Sequence, residues 1–381
     1  MIKRCLNIEQ LLTKRSFFLF GPRATGKSTL VSEQLQGKAE IIDLLDRSTF
    51  ATLTANPAEF ENIVNHSQHN LIVVDEIQLL PELLNTVQRL IVRGKQRFLL
   101  TGSSQRKLRR QGANLLAGRA LVAHMLPLTR NEISGFDLLR YLHCGGLPEV
   151  YLSDIANEIL DAYVYTYLQE EIRAEGAVRN LPAFSRFLQT MALANGEILN
   201  FTKLASDCQL APSTVRDYVQ VLEDTLLGAL LLPWRGSTQR KAVSTAKFYF
   251  FDTGVARTLT GIKTVERNSS FYGKAFEQFI WMELRAYLSY QRKKLSLTFW
   301  CTKHGQEVDL LIGEEVAIEV KAKHTVSQRD LKGLRLLAEE GVFQKFYLVS
   351  HDRSNRRYDA CHLIYWENFL DDLWAGKLLA S

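Results

Sequence analysis

Short apolar runs separated by polar or amphipathic stretches fill the first 125 residues. The runs are Phe17–Phe20, Ala39–Ile42, Leu71–Val74, Arg97–Leu100 and Leu121–Met125. Strand-length runs alternating with helical stretches predict βα units around a parallel sheet. From about 126 to 180 the pattern is mostly helical, with a break at Gly145-Gly146-Leu147-Pro148. Several short helices follow, and they end in the apolar stretch Leu226–Trp234 and the basic, linker-like segment Arg235–Lys241. The α/β pattern then returns. Strands are predicted at Phe248–Phe251, Leu297–Trp300, Val308–Ile312, Val316–Val320 and Phe346–Val349, with helices over Lys274–Leu288 and Asp330–Glu340.

At 381 residues the chain has room for two or three domains. Its 46% hydrophobic and 23% charged residues are an ordinary globular balance. The net charge of +6 is a mild excess that suits nucleic acid without requiring it. Five cysteines lie far apart with no CxxC pair, which argues against a disulfide framework or a zinc site and for reduced thiols. No apolar run approaches the roughly 18–20 residues of a membrane span, so a cytoplasmic protein with no membrane partner is expected.

The segment Gly21-Pro22-Arg23-Ala24-Thr25-Gly26-Lys27-Ser28 matches GxxxxGK[ST] without a gap, follows an apolar run and precedes a helical one. That context is what a phosphate loop requires: glycines turn backbone N–H groups toward phosphates, and the helix N-terminus adds positive partial charge. Lys27 is expected to reach the β and γ phosphates, Ser28 to ligate Mg²⁺, and Thr29 to complete the nucleotide-binding set with the loop. The run Leu71–Val74 ends in Asp75-Glu76. A carboxylate at that strand tip holds Mg²⁺ through water, and the adjacent Glu76 is placed as general base for the attacking water. ATP and Mg²⁺ are the expected cofactors. A further strand ends in Thr101-Gly102-Ser103-Ser104, whose polar groups would face the γ-phosphate.

The order of these motifs, continued by Leu115-Leu116-Ala117-Gly118-Arg119, resembles an AAA+ core. In that resemblance Ser103 falls at the sensor position, with Thr101 and Ser104 as alternatives, and Arg119 falls at the arginine finger that serves a neighbouring subunit. A homo-oligomer, most simply a ring hexamer, is implied. With Val74-Asp75-Glu76-Ile77-Gln78, Gly145-Gly146-Leu147-Pro148-Glu149, Phe251-Asp252-Thr253-Gly254 and Glu307-Val308-Asp309, the chain looks like a widespread bacterial and archaeal AAA+ family with a restriction-nuclease-like C-terminal domain. No sensor-2 arginine is placed.

Residues 201–224 suit a helix-turn-helix. Ser213 is positioned to cap a second helix whose apolar face is Val215, Tyr218, Val219 and Leu222, leaving Thr214, Arg216, Asp217 and Gln220 outward. The apolar residues that follow would form a wing. In the tail, Asp309 and Glu319-Val320-Lys321 sit on two strands joined by a short turn. Glu319 and Lys321 share one face, and a hairpin brings Asp309 beside them. Paired carboxylates repel unless a cation joins them, so Mg²⁺ or Mn²⁺ is expected at Asp309 and Glu319, with Glu277 as a further ligand and Lys321 activating water. This arrangement resembles the PD-(D/E)xK nuclease core.

The resulting expectation is an α/β chain in four parts: an AAA+ P-loop core with a parallel sheet (1–130), a helical lid or connector (131–180), a winged-helix-like part (181–235) and a restriction-endonuclease-like domain (236–381). The expected function is an ATP-driven oligomeric motor acting on DNA whose tail cuts or grips it. The alternatives are a non-cutting branch-migration motor and a regulatory ATPase with a protein-binding tail.

Overall fold

The computed structural model describes residues 2–379 apart from 105, 107, 109–114, 168–177, 179, 238–239 and 241. The N-terminal part is built on five parallel strands: β1 (Ser16–Phe20), β2 (Glu40–Asp43), β3 (Leu71–Asp75), β4 (Arg97–Gly102) and β5 (Ala120–His124). Their order is β2-β3-β4-β1-β5. Side chains alternate across the sheet as a period of two requires. Phe18, Phe20, Ile72, Val74, Phe98 and Leu100 pack on one face, with the helices Ala58–His66 and Leu83–Arg93. Phe17, Leu19, Val73 and Leu99 pack on the other, against the helices Ile8–Leu12 and Lys27–Leu35. Because β4 lies between β1 and β3, the C-terminal tips of all three strands are neighbours. This places the loop after β1, the acids after β3 and the hydroxyls after β4 in one place.

The middle of the chain shares one core. Leu147, Leu160, Phe184, Phe187, Val215, Leu222, Phe248, Phe250 and Val255 belong to a single buried cluster. The helices Phe201–Cys208 and Pro212–Asp224 are joined by a tight turn in which Gln209 takes a positive φ of 55°. Ser213 does not cap the second helix. Ala211 is the cap residue and Pro212 opens the helix, its fixed φ already helical and its missing N–H costing nothing there.

The helices lead into β6 (Gly228–Pro233), which pairs antiparallel with β7 (Lys247–Phe250). This hairpin runs across the expected limit at residue 235, and β6 also pairs with β8 (Leu297–Cys301). The sheet is therefore continuous into the tail, through β9 (Glu307–Ile312), β10 (Val316–Lys321), β11 (Lys345–Ser350), β12 (Arg356–Tyr358) and β13 (Cys361–Tyr365). The order of the eight strands is β12-β13-β11-β10-β9-β8-β6-β7, with β10, β11 and β13 mutually parallel. The long helix Ser270–Tyr290 and the C-terminal helix Trp366–Trp374 cover one face, and Lys332–Ala338 covers the other. Among the described residues, no helix is long and apolar enough to cross a membrane.

Candidate nucleotide site and tail cluster

The loop after β1 is shaped by two close constraints. A Cβ on Gly21 would stand 2.4 Å from the Met125 carbonyl oxygen, so only glycine lets β1 leave the sheet beside the end of β5. Gly26, at φ +89°, turns the chain into the helix Lys27–Leu35, whose first turn has no side-chain cap. Its N–H donors therefore face the loop, as phosphate binding requires. Lys27 is buried, and its ammonium donates to the carbonyls of Gly21 (2.8 Å) and Pro22 (3.1 Å). The Thr25 hydroxyl donates to the Pro22 carbonyl at 2.8 Å, while Pro22 is buried, Arg23 partly buried, and Ala24 and Thr29 exposed.

The strand tips meet this loop as expected. Ser28 Oγ donates to Asp75 Oδ2 at 2.7 Å, and Thr101 Oγ1 donates to the other oxygen of Asp75. A hydroxyl and a carboxylate held side by side are the hard oxygen donors that suit Mg²⁺. Glu76 adopts a left-handed conformation (φ 57°), and its N–H donates to Thr101 Oγ1 at 3.1 Å. Its carboxylate accepts from Gln78 Nε2, which also reaches Ser103 Oγ at 3.3 Å. Gln78 thus ties Glu76 to Ser103, a link the sequence reading did not assign. The three candidate sensors separate by partner: Thr101 holds Asp75, Ser103 faces Gln78, and Ser104 accepts the Arg106 N–H in a local turn (3.2 Å).

Arg119 is exposed and precedes β5, whose register pairs Ala120 with Ser16 and His124 with Phe20. It therefore lies at the end of the sheet away from the P-loop, about 16 Å distant at the usual strand rise. Of the basic stretch 106–110, Lys107, Arg109 and Arg110 lie outside the described residues, and Arg106 stands 3.8 Å from Asp224.

Two further contacts join this site to the rest of the chain. Arg4 is buried and donates to the carbonyls of Thr25 (2.9 Å) and Leu126 (2.6 Å), to Glu132 (3.0 Å) and to the Tyr290 hydroxyl (3.3 Å). Pro148 lies 3.8 Å from the Cβ position of Gly26. The turn that carries Pro148 is locked by Asp252, whose fully buried carboxylate accepts from the N–H groups of Gly146 (2.7 Å) and Val255 (3.0 Å). Burial pushes that carboxyl up to about 6 while these N–H groups pull it down. The glycine pair at 145–146 and the segment 251–254, a hundred residues apart, are two halves of one joint.

In the tail, Asp309 and Glu319 come together as expected. The antiparallel register that pairs Ile318 with Leu310 leads next to Glu319 opposite Asp309, and Asp309 Oδ2 accepts the Val320 N–H at 2.8 Å. Lys321 pairs with Glu319 at 2.5 Å. The expected metal set is not assembled: among the described residues, no group of three or more His, Cys, Asp or Glu is arranged to hold an ion. Lys247, to which the sequence reading gave no role, lies in the same cluster. Its buried ammonium reaches Glu277 at 3.0 Å, contacts Glu307, and stands 4.0 Å from Asp309. A positive charge from β7 thus occupies the ground among the acids where a cation was expected. Burial alone would lower the Lys247 ammonium, but Glu277, Tyr249, Asp309 and Glu307 outweigh it and keep it charged. Burial, then the neighbouring acids, pushes Asp309 up to about 7 and Glu319 also upward, against the pull of Lys321. One buried oxygen, Glu319 Oε2, has no hydrogen-bond partner. The signal for Lys247 was a single charge opening the apolar aromatic run Lys247-Phe248-Tyr249-Phe250.

Comparison with known proteins divides the chain in three. Residues 13–134 match the AAA domain, 135–266 a domain of unknown function (DUF8612), and 272–369 a second domain of unknown function (DUF4143). An uncharacterized protein of Mycobacterium tuberculosis is 28% identical over 322 residues, covering 81% of this chain and 70% of its own length. An uncharacterized protein of Methanocaldococcus jannaschii is 25% identical over 396 residues, covering 86% and 80%. Among solved structures, the Aeropyrum pernix ORC1 protein in complex with DNA aligns over 65% of this chain and 86% of its own at 14% identity, with a TM-score of 0.29, too loose an overlay to carry an argument. The N-terminal third is thus an AAA-type ATPase domain, and the second matched segment contains both halves of the Asp252 joint.

Proposed function

We infer that the chain is an oligomeric ATPase that acts on DNA through its central and C-terminal parts, and that its tail grips DNA without cutting it. The observation that carries the ATPase reading is the convergence of Ser28, Asp75, Thr101, Glu76 and Gln78 at the mouth of the phosphate loop. In this reading Lys27 exchanges its bonds to the loop carbonyls for β and γ phosphate oxygens, joined by the first-turn N–H groups. Ser28 and Asp75 would hold Mg²⁺, which supplies charge neutralisation at the phosphates. Glu76, fixed by Gln78, takes the proton of the attacking water. Arg119, exposed at the end of the sheet away from its own site, would in this reading serve the site of a neighbouring subunit, with a ring as the simplest closed arrangement.

The DNA part rests on the two-helix unit with its β6–β7 wing, on exposed Arg216 and Gln220 along the second helix, and on the net charge of +6. The Asp309 and Glu319-Val320-Lys321 strand pair resembles a PD-(D/E)xK core, and the Lys247 ammonium beside Glu277, Glu307 and Asp309 favours gripping over cutting. A regulatory ATPase with a protein-binding tail is the second reading. It is favoured by the engagement of the second helix's own polar groups: Gln220 bonds Asp224 at 3.0 Å, and Arg216 lies over the Phe201 ring.

The test is the ATPase rate with no DNA and with single-stranded, duplex and four-way-junction DNA. Lys27→Ala is expected to weaken nucleotide binding, and Glu76→Gln to bind ATP with turnover reduced by about 10²-fold or more. Full turnover by Glu76→Gln would sink the catalytic assignment. A rate indifferent to every DNA form would remove the DNA reading and promote the switch.

A further inference from the structure

The C-terminal edge of the parallel strands β10, β11 and β13 carries a second feature, unrelated to the phosphate loop. Lys321 lies level with Ser350, and Ser350 with Tyr365, so the residues just beyond these strands gather at one edge. In open α/β sheets this is the edge where ligands bind. There a cavity of about 330 Å³ opens between the tail and the connector segment Phe136–Leu139, a size typical of small-molecule sites.

Its lining has an unusual chemistry. Phe136, Tyr272, Tyr365 and Trp366 supply aromatic surface, Arg267 and Arg353 supply positive charge, and His324 and His351 supply ring nitrogens. Two acids also reach the cavity, but both are engaged. Asp137 caps the helix Leu138–Cys144 by accepting the Arg140 N–H at 3.2 Å, and Glu367 accepts the Tyr365 hydroxyl at 3.1 Å and faces Arg130 at 3.9 Å. The guanidinium groups of Arg267 and Arg353 are exposed at the mouth, with His324 beside them. The donors behind them are held in place. His351 is buried, its Nε2 is 3.1 Å from the Tyr272 hydroxyl, and its ring stacks on His324 at 5.3 Å. Arg353 lies 5.4 Å from the Tyr365 ring centre, a guanidinium already stacked on the aromatic wall. Burial, followed by the charges of His324 and Arg267, drops the His351 imidazole to about 4, so it serves as a neutral hydrogen-bonding group.

We propose that this pocket binds a nucleotide, its phosphate between Arg267 and Arg353 and its base against the Tyr365–Trp366–Phe136 wall. Aromatic rings beside two exposed guanidinium groups match the two halves of that ligand. The same chemistry is offered by a free mononucleotide and by the phosphorylated end of a nucleic-acid strand. The site is independent of the ATPase reading, because a monophosphate lacks the β and γ groups that the P-loop holds.

Calorimetry on the full chain tests the proposal with four probes: inorganic phosphate, thymidine monophosphate, a 5′-phosphorylated oligothymidine of four residues, and the same oligomer without the phosphate. Binding of the monophosphate or of the phosphorylated oligomer is expected, weakened about tenfold or more by Arg267→Gln and by Arg353→Gln. Both exposed variants should keep the wild-type thermal midpoint and the wild-type ATPase rate without DNA. Equal binding of the monophosphate and the phosphorylated oligomer identifies the free nucleotide as ligand, and binding of the phosphorylated oligomer alone identifies a strand end. The proposal is overturned if neither phosphorylated probe binds, if binding ignores both arginine substitutions, or if inorganic phosphate or the unphosphorylated oligomer binds as tightly.

Discussion

Replacing Lys247 by methionine keeps the side-chain length and removes the charge at the centre of the tail cluster. The side chain is 4% exposed and touches Glu277 and Glu307, with Asp309 at 4.0 Å. Breaking a buried ion pair costs about 3–5 kcal/mol, because the orphaned charges stay buried. Glu277 and Glu307 are 20% and 33% exposed, and water reaches them in part, so the lower end applies. For a chain of 381 residues, about 3 kcal/mol corresponds to a fall of roughly 4 °C in thermal midpoint. The deficit must also depend on pH. Asp309 is raised from 3.8 to about 7, so the stability associated with it is fully present below pH 4 and is lost as pH rises toward 7. Without Lys247 its pKa rises further, and the loss extends above 7. The variant should thus trail the wild type little at pH 5.5 and most at pH 8.5, in thermal melts of the full chain. With the ammonium gone, millimolar Mn²⁺ should raise the midpoint of the variant more than that of the wild type. A deficit equal at both pH values, or a metal response equal in both proteins, would refute the view of Lys247 as a built-in cation.

Two further outcomes are expected. Arg119→Ala should bind ATP and lose hydrolysis, and mixing it with Glu76→Gln should restore activity at sites pairing an intact Glu76 with an intact Arg119; a fully active Arg119→Ala, or activity unchanged by dilution to monomer, removes the trans role. Gly145→Ala should destabilise the chain by more than about 2 kcal/mol in chemical denaturation, because Gly145 has φ +78° and an added Cβ would lie 2.0 Å from Asp252 Oδ1; an unchanged midpoint would mean that the joint yields without cost.

The parts of this molecule that were legible in sequence are those specified locally. Each strand of the N-terminal sheet is a short apolar run, because both faces of a parallel sheet are buried. The phosphate loop and Asp75-Glu76 are contiguous motifs, and the β9–β10 hairpin places Asp309 opposite Glu319 by counting alone. The parts that were hidden depend on distant partners. Lys247 reaches Glu277, Glu307 and Asp309 from a strand that sequence assigns no task, and Asp252 meets Gly146 across 106 positions. Strand β12 is three residues long and mostly exposed, so it carries no periodic signal. Ser213 looked like a helix cap by residue type, yet Pro212 beside it set the first turn. The segment after Leu226 reads as the wing of the two-helix unit until its partners β7 and β8 are known, which is why a boundary drawn at residue 235 cuts through a hairpin.

The long helix Ser270–Tyr290 gives these separate pieces a mechanical relation. Near one end Glu277 sits among the tail lysines, and at the other end Tyr290 meets Arg4 and the Leu126 carbonyl and N–H. The thirteen helical steps from Glu277 to Tyr290 span about 20 Å of rigid rod. Arg4 in turn holds the carbonyl of Thr25, inside the loop that would wrap the phosphates. A loop that rearranged as Lys27 released its carbonyls would act on Thr25, whose carbonyl is tied through the buried Arg4 to Leu126, Glu132 and Tyr290. Ala286 and Tyr290 are packed into the same core as Phe17 and Leu19 of the ATPase sheet, so the rod also cannot slide freely. A rigid element becomes a signal only when both ends favour different positions in two states. At the tail end the group within reach of such a displacement is the Lys247 cluster, where Glu277 shares the buried ammonium with Glu307.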